Sequence, residues 1–235
     1  MTALVMLPGM DGTGDLFEPF LSALPSTLRP VVVRYPVDRW LDDDELLAQV
    51  RGVLPNDEPF LLLGESFSGP VALRLAAEHP PGLRGVVLAA SFARYPNRAL
   101  VLFKPMTGWM PLHLLPKSVI SVPLLGGFGT AAQQEALHRA VGRVAPSVMA
   151  RRARQVLSFD ATVAAAEVGV SILCLRATRD RVVAAEAATE IVRHNRRCTI
   201  VDIEAPHMLL QCAPAAAAQA IVDVFQEQEK GSPHA

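Results

Sequence analysis

The chain has 235 residues, 51% of them hydrophobic and 19% charged, which is enough to bury a sizeable apolar core as one or two domains without metals or disulfides. Its 22 Lys and Arg nearly balance 23 Asp and Glu, so no global positive field exists to hold a polyanion, and nucleic-acid partners are not expected. Three widely spaced cysteines, Cys174, Cys198 and Cys212, read as core thiols of a reducing compartment. Met1 to Gly9 lacks a basic leader region, and every apolar stretch is interrupted before bilayer length, so a cytoplasmic protein with no membrane span is expected.

In chain order, short apolar runs at Leu4 to Leu7, Val31 to Val33, Phe60 to Leu63, Val86 to Ala90, Val170 to Leu175 and Thr199 to Ile203 predict buried strands. Helix-compatible segments fall between or after them, near Leu16 to Leu24, Asp42 to Val53, Gly69 to Glu78, Ala184 to Val192 and Ala213 to Glu229. This alternation specifies an α/β domain with a mostly parallel sheet. The stretch from about Phe92 to Asp160 breaks the rhythm. Its prolines, among them Pro96, Pro105, Pro111, Pro116, Pro123 and Pro146, argue against one continuous helix, and its apolar content argues against a disordered linker. A small helical insertion fits, with helices after Ala131 and after Pro146. It serves either as a cap over a site or as a structural or dimerising appendage. The tail from Lys230 is expected to fray.

Phe60-Leu61-Leu62-Leu63-Gly64-Glu65-Ser66-Phe67-Ser68-Gly69 runs a strand directly into a helix through small residues. A tight strand-to-helix turn of this kind lifts Ser66 above the sheet edge, with Gly64 and Ser68 leaving room for crowded backbone. Ser68 is the alternative nucleophile, but its own flanks are Phe67 and Gly69, and a helix already under way buries its hydroxyl. A serine hydroxyl attacks well only when a histidine takes its proton, and the histidine needs a carboxylate to fix its tautomer. Asp180 sits in a loop past the Val170 to Leu175 run, and His207 follows the Thr199 to Ile203 run. In a parallel sheet both loops emerge at the carboxyl edge that carries Ser66. Asp180 as an ordinary salt-bridged acid, His207 as a surface histidine and Asp202 as the orienting acid are the competing readings. The remaining histidines, His79, His113, His138, His194 and His234, have no metal-ligand spacing.

In its elbow and in the order Ser66, Asp180, His207, the sequence resembles the α/β-hydrolase family, whose elbow is Gly-x-Ser-x-Gly; serine at 68 replaces the last glycine. The resemblance implies an α/β-hydrolase fold, a mostly parallel central sheet with helices on both faces. Residues 1–91 and 161–230 would form the core, 92–160 a helical cap insertion and 231–235 a flexible tail. The antiparallel strands often found at the family's N-terminus have no counterpart before Leu4. The resemblance further implies that the loop Leu7-Pro8-Gly9-Met10-Asp11-Gly12-Thr13-Gly14 supplies an oxyanion donor, the Met10 amide, beside the Phe67 amide. That loop lacks the Lys-Ser or Lys-Thr ending of a phosphate-binding loop, and Asp11 is expected to hydrogen-bond the loop's own backbone.

The implied chemistry is acyl transfer to water on a small-molecule ester or thioester, with no metal or organic cofactor, by a monomer or homodimer. A small or medium apolar acyl group is expected, lodged among the leucines, methionines and Trp109 between Leu100 and Leu115. Carboxylesterase is favoured over thioesterase because no basic cluster awaits a phosphate-rich leaving group. A lyase using the triad as a base and a binding protein that retains the architecture are the alternatives, since fold does not fix chemistry.

Overall fold

A computed structural model describes residues 1–56, 58–95 and 117–231. Six strands form one sheet in the order β2-β1-β3-β4-β5-β6: β1 (Thr2–Leu7), β2 (Leu28–Val32), β3 (Phe60–Glu65), β4 (Leu83–Ala89), β5 (Ser171–Ala177) and β6 (Cys198–Ile203). Every pairing is parallel. A parallel sheet is covered on both faces, so its strands read as unbroken apolar runs rather than alternating ones. The edge strand β2 is the exception: it is only partly buried and carries Pro30, whose missing N–H is tolerable at an edge.

The alternation of side chains divides each central strand between two cores. Ala3, Val5, Leu62, Val86, Leu88, Ile172 and Cys174 face one side, where they meet α2 (Asp43–Arg51), α3 (Gly69–Ala77), α7 (Thr162–Glu167) and α8 (Glu186–His194) through Leu46, Val71, Ala165 and Ile191. Leu4, Met6, Leu61, Leu63, Val87, Leu173 and Leu175 face the other, against α1 (Glu18–Ala23), α9 (Leu209–Cys212) and α10 (Pro214–Gly231) through Phe20, Leu209, Leu210 and Ile221. Each such fully buried aliphatic side chain contributes roughly 1.5–3 kcal/mol. The result is the expected α/β-hydrolase fold, a parallel sheet with helices on both faces.

Local chemistry sets the helix ends. Asp42 accepts from the Glu45 backbone N–H at 2.9 Å while the Glu45 carboxylate accepts from the Asp42 N–H at 3.0 Å, a reciprocal cap that starts α2. The expected helix from Leu16 to Leu24 divides into a single 3-10 turn, Asp15–Phe17, and α1, whose first turn holds Pro19. Between β4 and β5 lie α4 (Lys117–Leu125), α5 (Ala131–Arg143), α6 (Pro146–Val156) and α7. Thr130 caps α5 through Gln133, and Pro146 opens α6, the two starts the sequence marks. The sequence did not announce α4 or α7: α4 contains Pro123, and α7 is a six-residue, alanine-rich turn and a half. The segment Leu100 to Leu115, with the expected acyl-pocket residues, lies outside the described residues, as do 232–235.

Cys174 and Cys198 are buried and Cys212 half-buried; all three are free thiols, with the Cys174 and Cys198 sulfurs 3.3 Å apart across β5 and β6. Among the described residues no helix is long and apolar enough to cross a membrane, and no group of three or more His, Cys, Asp or Glu is arranged to hold a metal ion.

Candidate active site

The chain leaves β1 for β2 on one side and returns past β1 to β3 on the other, so the strand order reverses between β1 and β3. Crevices at the carboxyl ends of strands at such a reversal are where open α/β sheets bind ligands. The loop from Pro8 to Gly14 leaves β1 there, and Ser66 leaves β3 beside it.

Ser66 opens a one-turn 3-10 helix, Ser66–Ser68, at φ 47°, a left-handed conformation that costs a residue with a Cβ roughly 1–2 kcal/mol. The surroundings hold it there. A Cβ on Gly64 would come within 2.7 Å of the Ser68 carbonyl, and one on Gly69 would overlap the Ser91 hydroxyl, so both small residues are steric requirements of the elbow. The Ser91 hydroxyl donates to the Ser66 carbonyl.

Ser66 Oγ lies 2.8 Å from His207 Nε2, and His207 Nδ1 lies 2.8 Å from Asp180 Oδ2. The Asp180 and His207 side chains are each 6% exposed. Asp180 Oδ1 accepts from the backbone N–H groups of Val182 at 2.7 Å and Val183 at 2.9 Å, which fixes the carboxylate and leaves its other oxygen for the ring. Loops after β3, β5 and β6 thus bring the three side chains into one relay. The competing acid is engaged elsewhere: Asp202 forms a bidentate pair with Arg176 on β5, and nearby Glu204 pairs with Arg179. Ser68 is fully buried, its hydroxyl bonded to the Pro8 carbonyl and 2.9 Å from the Tyr35 hydroxyl. The serine that replaces the family's last glycine therefore ties the elbow to the β1 loop instead of facing the crevice.

Met10 lies on that loop and Phe67 directly after Ser66, and the Ser68–Pro8 bond joins the two segments. Asp11 Oδ1 accepts from the Thr13 backbone N–H at 2.9 Å and from its hydroxyl, the loop-bracing role expected of it. Burial raises the Asp11 pKa above the ordinary carboxylate value, with the Thr13 hydrogen bonds and Arg152 opposing. Arg152, on α6, was not anticipated. Its guanidinium is buried and donates to the carbonyls of Met10 at 3.0 Å, Asp11 at 2.8 Å and Pro36 at 2.8 Å.

Two further contacts join the β4–β5 connection to the site. The Met208 N–H donates to the Leu124 carbonyl at 3.0 Å, next to His207, and Gln133 Nε2 donates to the Gln211 carbonyl at 2.6 Å. Leu125 and Leu137 pack there with Leu16 and Met208.

The parallel sheet with helices on both faces is that of an α/β hydrolase. The chain belongs to the family described as serine aminopeptidase, S33, whose model matches residues 35–210. Among solved structures it is similar to an enol-lactonase from Burkholderia xenovorans LB400, with a TM-score of 0.81, 15% identity and coverage of 96% of this chain and 91% of that one. An esterase from Exiguobacterium antarcticum gives a TM-score of 0.79, 16% identity and coverage of 96% and 92%. A phytyl ester synthase 1, chloroplastic, from Arabidopsis thaliana is 35% identical over an alignment of 108 residues that covers 42% of this chain and 15% of that protein.

Proposed function

We propose that the protein is a serine hydrolase that cleaves a carboxylic ester of a small or medium apolar acyl group through an acyl-enzyme. The observation that carries this reading is the relay from Ser66 Oγ through His207 to Asp180, with both contacts at 2.8 Å. In the proposed mechanism Ser66 Oγ attacks the ester carbonyl as its proton passes to His207 Nε2. Asp180 holds the ring by Nδ1 and offsets the charge of the imidazolium, and the Met10 and Phe67 amides receive the oxyanion. The tetrahedral adduct collapses, the alkoxide leaves with the proton from His207, and the acyl group stays on Ser66. Water, deprotonated by His207, then attacks the acyl-enzyme and releases the acid.

We assign residues 92–160 as a cap. The contacts of Leu124, Gln133 and Arg152 with the His207 loop, α9 and the oxyanion loop support that assignment. Thioester cleavage is the nearest alternative, and use of the relay as a base by a lyase a more distant one. The similarity to a phytyl ester synthase favours one further reading, in which an alcohol replaces water as acyl acceptor.

Matched oxygen and sulfur esters of increasing chain length, with and without an added fatty alcohol, separate these readings. Ester hydrolysis lost on Ser66→Ala is expected. A thioester with the much larger kcat/KM would reverse the preference, ester formation with the alcohol would make the enzyme a transferase, and undiminished turnover by Ser66→Ala would remove the serine mechanism.

A further inference from the structure

The relay uses one carboxylate, but a second carboxyl group is buried beside Ser66. Glu65 is the last residue of β3, and alternation along the strand turns it to the side of Leu61 and Leu63, toward α9. It is buried. Gln211 Nε2 on α9 donates to Glu65 Oε1 at 2.8 Å, and the other carboxylate oxygen lies against Gly9 of the β1 loop, where a Cβ would come 3.5 Å from Oε2. Glu65 therefore spans two segments that the reaction needs in register: the loop that carries Met10, one residue past Gly9, and the His207–Gln211 segment. Gln211 Oε1 is buried with no hydrogen-bond partner among the described residues, so there the carboxamide engages Glu65 through its nitrogen.

We propose that Glu65 is a positioning residue, which in its ionised form holds the oxyanion loop in register with the His207 segment through its contacts with Gly9 and Gln211 and supports the imidazolium formed when Ser66 attacks. This inference rests on the hydrolase reading above. The charged groups that face Glu65 are Asp11 from the β1 loop and His207 from the β6 loop, with Arg152 of α6 beyond Asp11. Burial, which disfavours the charged form, pushes the Glu65 carboxyl up to about 7 from an ordinary value of 4.5; Asp11 adds to the rise, and Gln211, His207 and Gly9 resist it. The clamp is then neutral in mild acid and charged above neutrality. Gln at this position is an isostere of the neutral form.

The test is the rate of Ser66 phosphonylation by a small fluorophosphonate, followed by intact mass across pH, for the native chain, Glu65→Gln and Gln211→Leu. The native chain and Glu65→Gln should react at the same rate below about pH 6 and separate to about tenfold, the native chain faster, above about pH 8. Gln211→Leu, which removes a donor that favours the charged carboxyl, should carry the rise in rate to higher pH. A constant ratio between the native chain and Glu65→Gln at all pH values, or a Gln211→Leu profile that does not move, overturns the inference.

Urea midpoints of the same chains provide a readout free of catalysis. Because the folded-state pKa of Glu65 is raised, the stability it contributes is present below about 4.5 and lost as pH rises through about 7. The midpoint of Glu65→Gln should therefore climb above that of the native chain across this window, and a difference independent of pH contradicts the proposal. A native serine inert to the reagent at every pH overturns the hydrolase reading and this inference with it, whereas a reactive serine with parallel profiles overturns the inference alone. If Glu65→Gln does not fold, the Gln211→Leu profile decides.

Discussion

Asp180 and Glu65 are two carboxyl groups of one site, both with buried side chains, and their surroundings give them different partners. Asp180 receives two backbone N–H groups on one oxygen and the His207 ring on the other. Glu65 has the Gln211 carboxamide as its donor, with Gly9 beside it and Asp11 as a like-charged neighbour. A carboxyl group buried with few donors holds its proton to higher pH. The difference between the two settings comes from the loops that deliver donors rather than from the residue type.

Variants at these positions sharpen the contrast, beginning with the largest expected effect. Asp180→Asn keeps the side-chain volume and an acceptor for the Val182 and Val183 amides but offers His207 an amide in place of a carboxylate. Under the proposed mechanism kcat should fall by about 10⁴-fold with far less change in KM, because tautomer and imidazolium support are lost together. Steady-state kinetics on a short ester measures this, and a loss smaller than that of Glu65→Gln at high pH would exchange the two roles.

Arg152→Met removes a guanidinium that serves the carbonyls of Met10, Asp11 and Pro36 and leaves Asp11 without its cation. A loss of roughly 3 kcal/mol in a urea titration is expected, with a drop in activity of the surviving folded protein. Wild-type stability would show that the three carbonyls find water instead. Asp42→Ala addresses a third kind of carboxylate, exposed at a helix start, whose value is a cap rather than a charge in a site. It should cost about 1 kcal/mol and leave kcat/KM unchanged, and any effect on the Glu65 pH profile would contradict the locality of the clamp.

Much of this was legible in the sequence. The apolar runs located all six strands, because a strand buried on both faces has no room for polar alternation, and the small residues around Ser66 announced a turn that the packing of Gly64 and Gly69 requires. Asp180 and His207 were legible as residues just past strand ends on one edge of a parallel sheet, and Asp11 as a residue that braces its own loop. Glu65 was present in the elbow but was read only as its variable position. Recognising its burial needs the parity of β3, counted back through Leu63 and Leu61, and its partner Gln211 lies 146 residues away, where no local pattern connects them. Arg152 was hidden for a related reason: a basic residue on a helix with Arg151 and Arg154 reads as a solvated face until the fold turns one of the three inward. The helix Thr162–Glu167 was too short and too rich in alanine to show a period.

The most direct test of the central claim is intact-protein mass spectrometry after exposure to a small fluorophosphonate, with peptide mapping, on the native chain beside Ser66→Ala. The account predicts one phosphonyl adduct, on Ser66, that is absent from the variant. An unmodified native chain, or an adduct on Ser68 or any other serine that persists in Ser66→Ala, would contradict it.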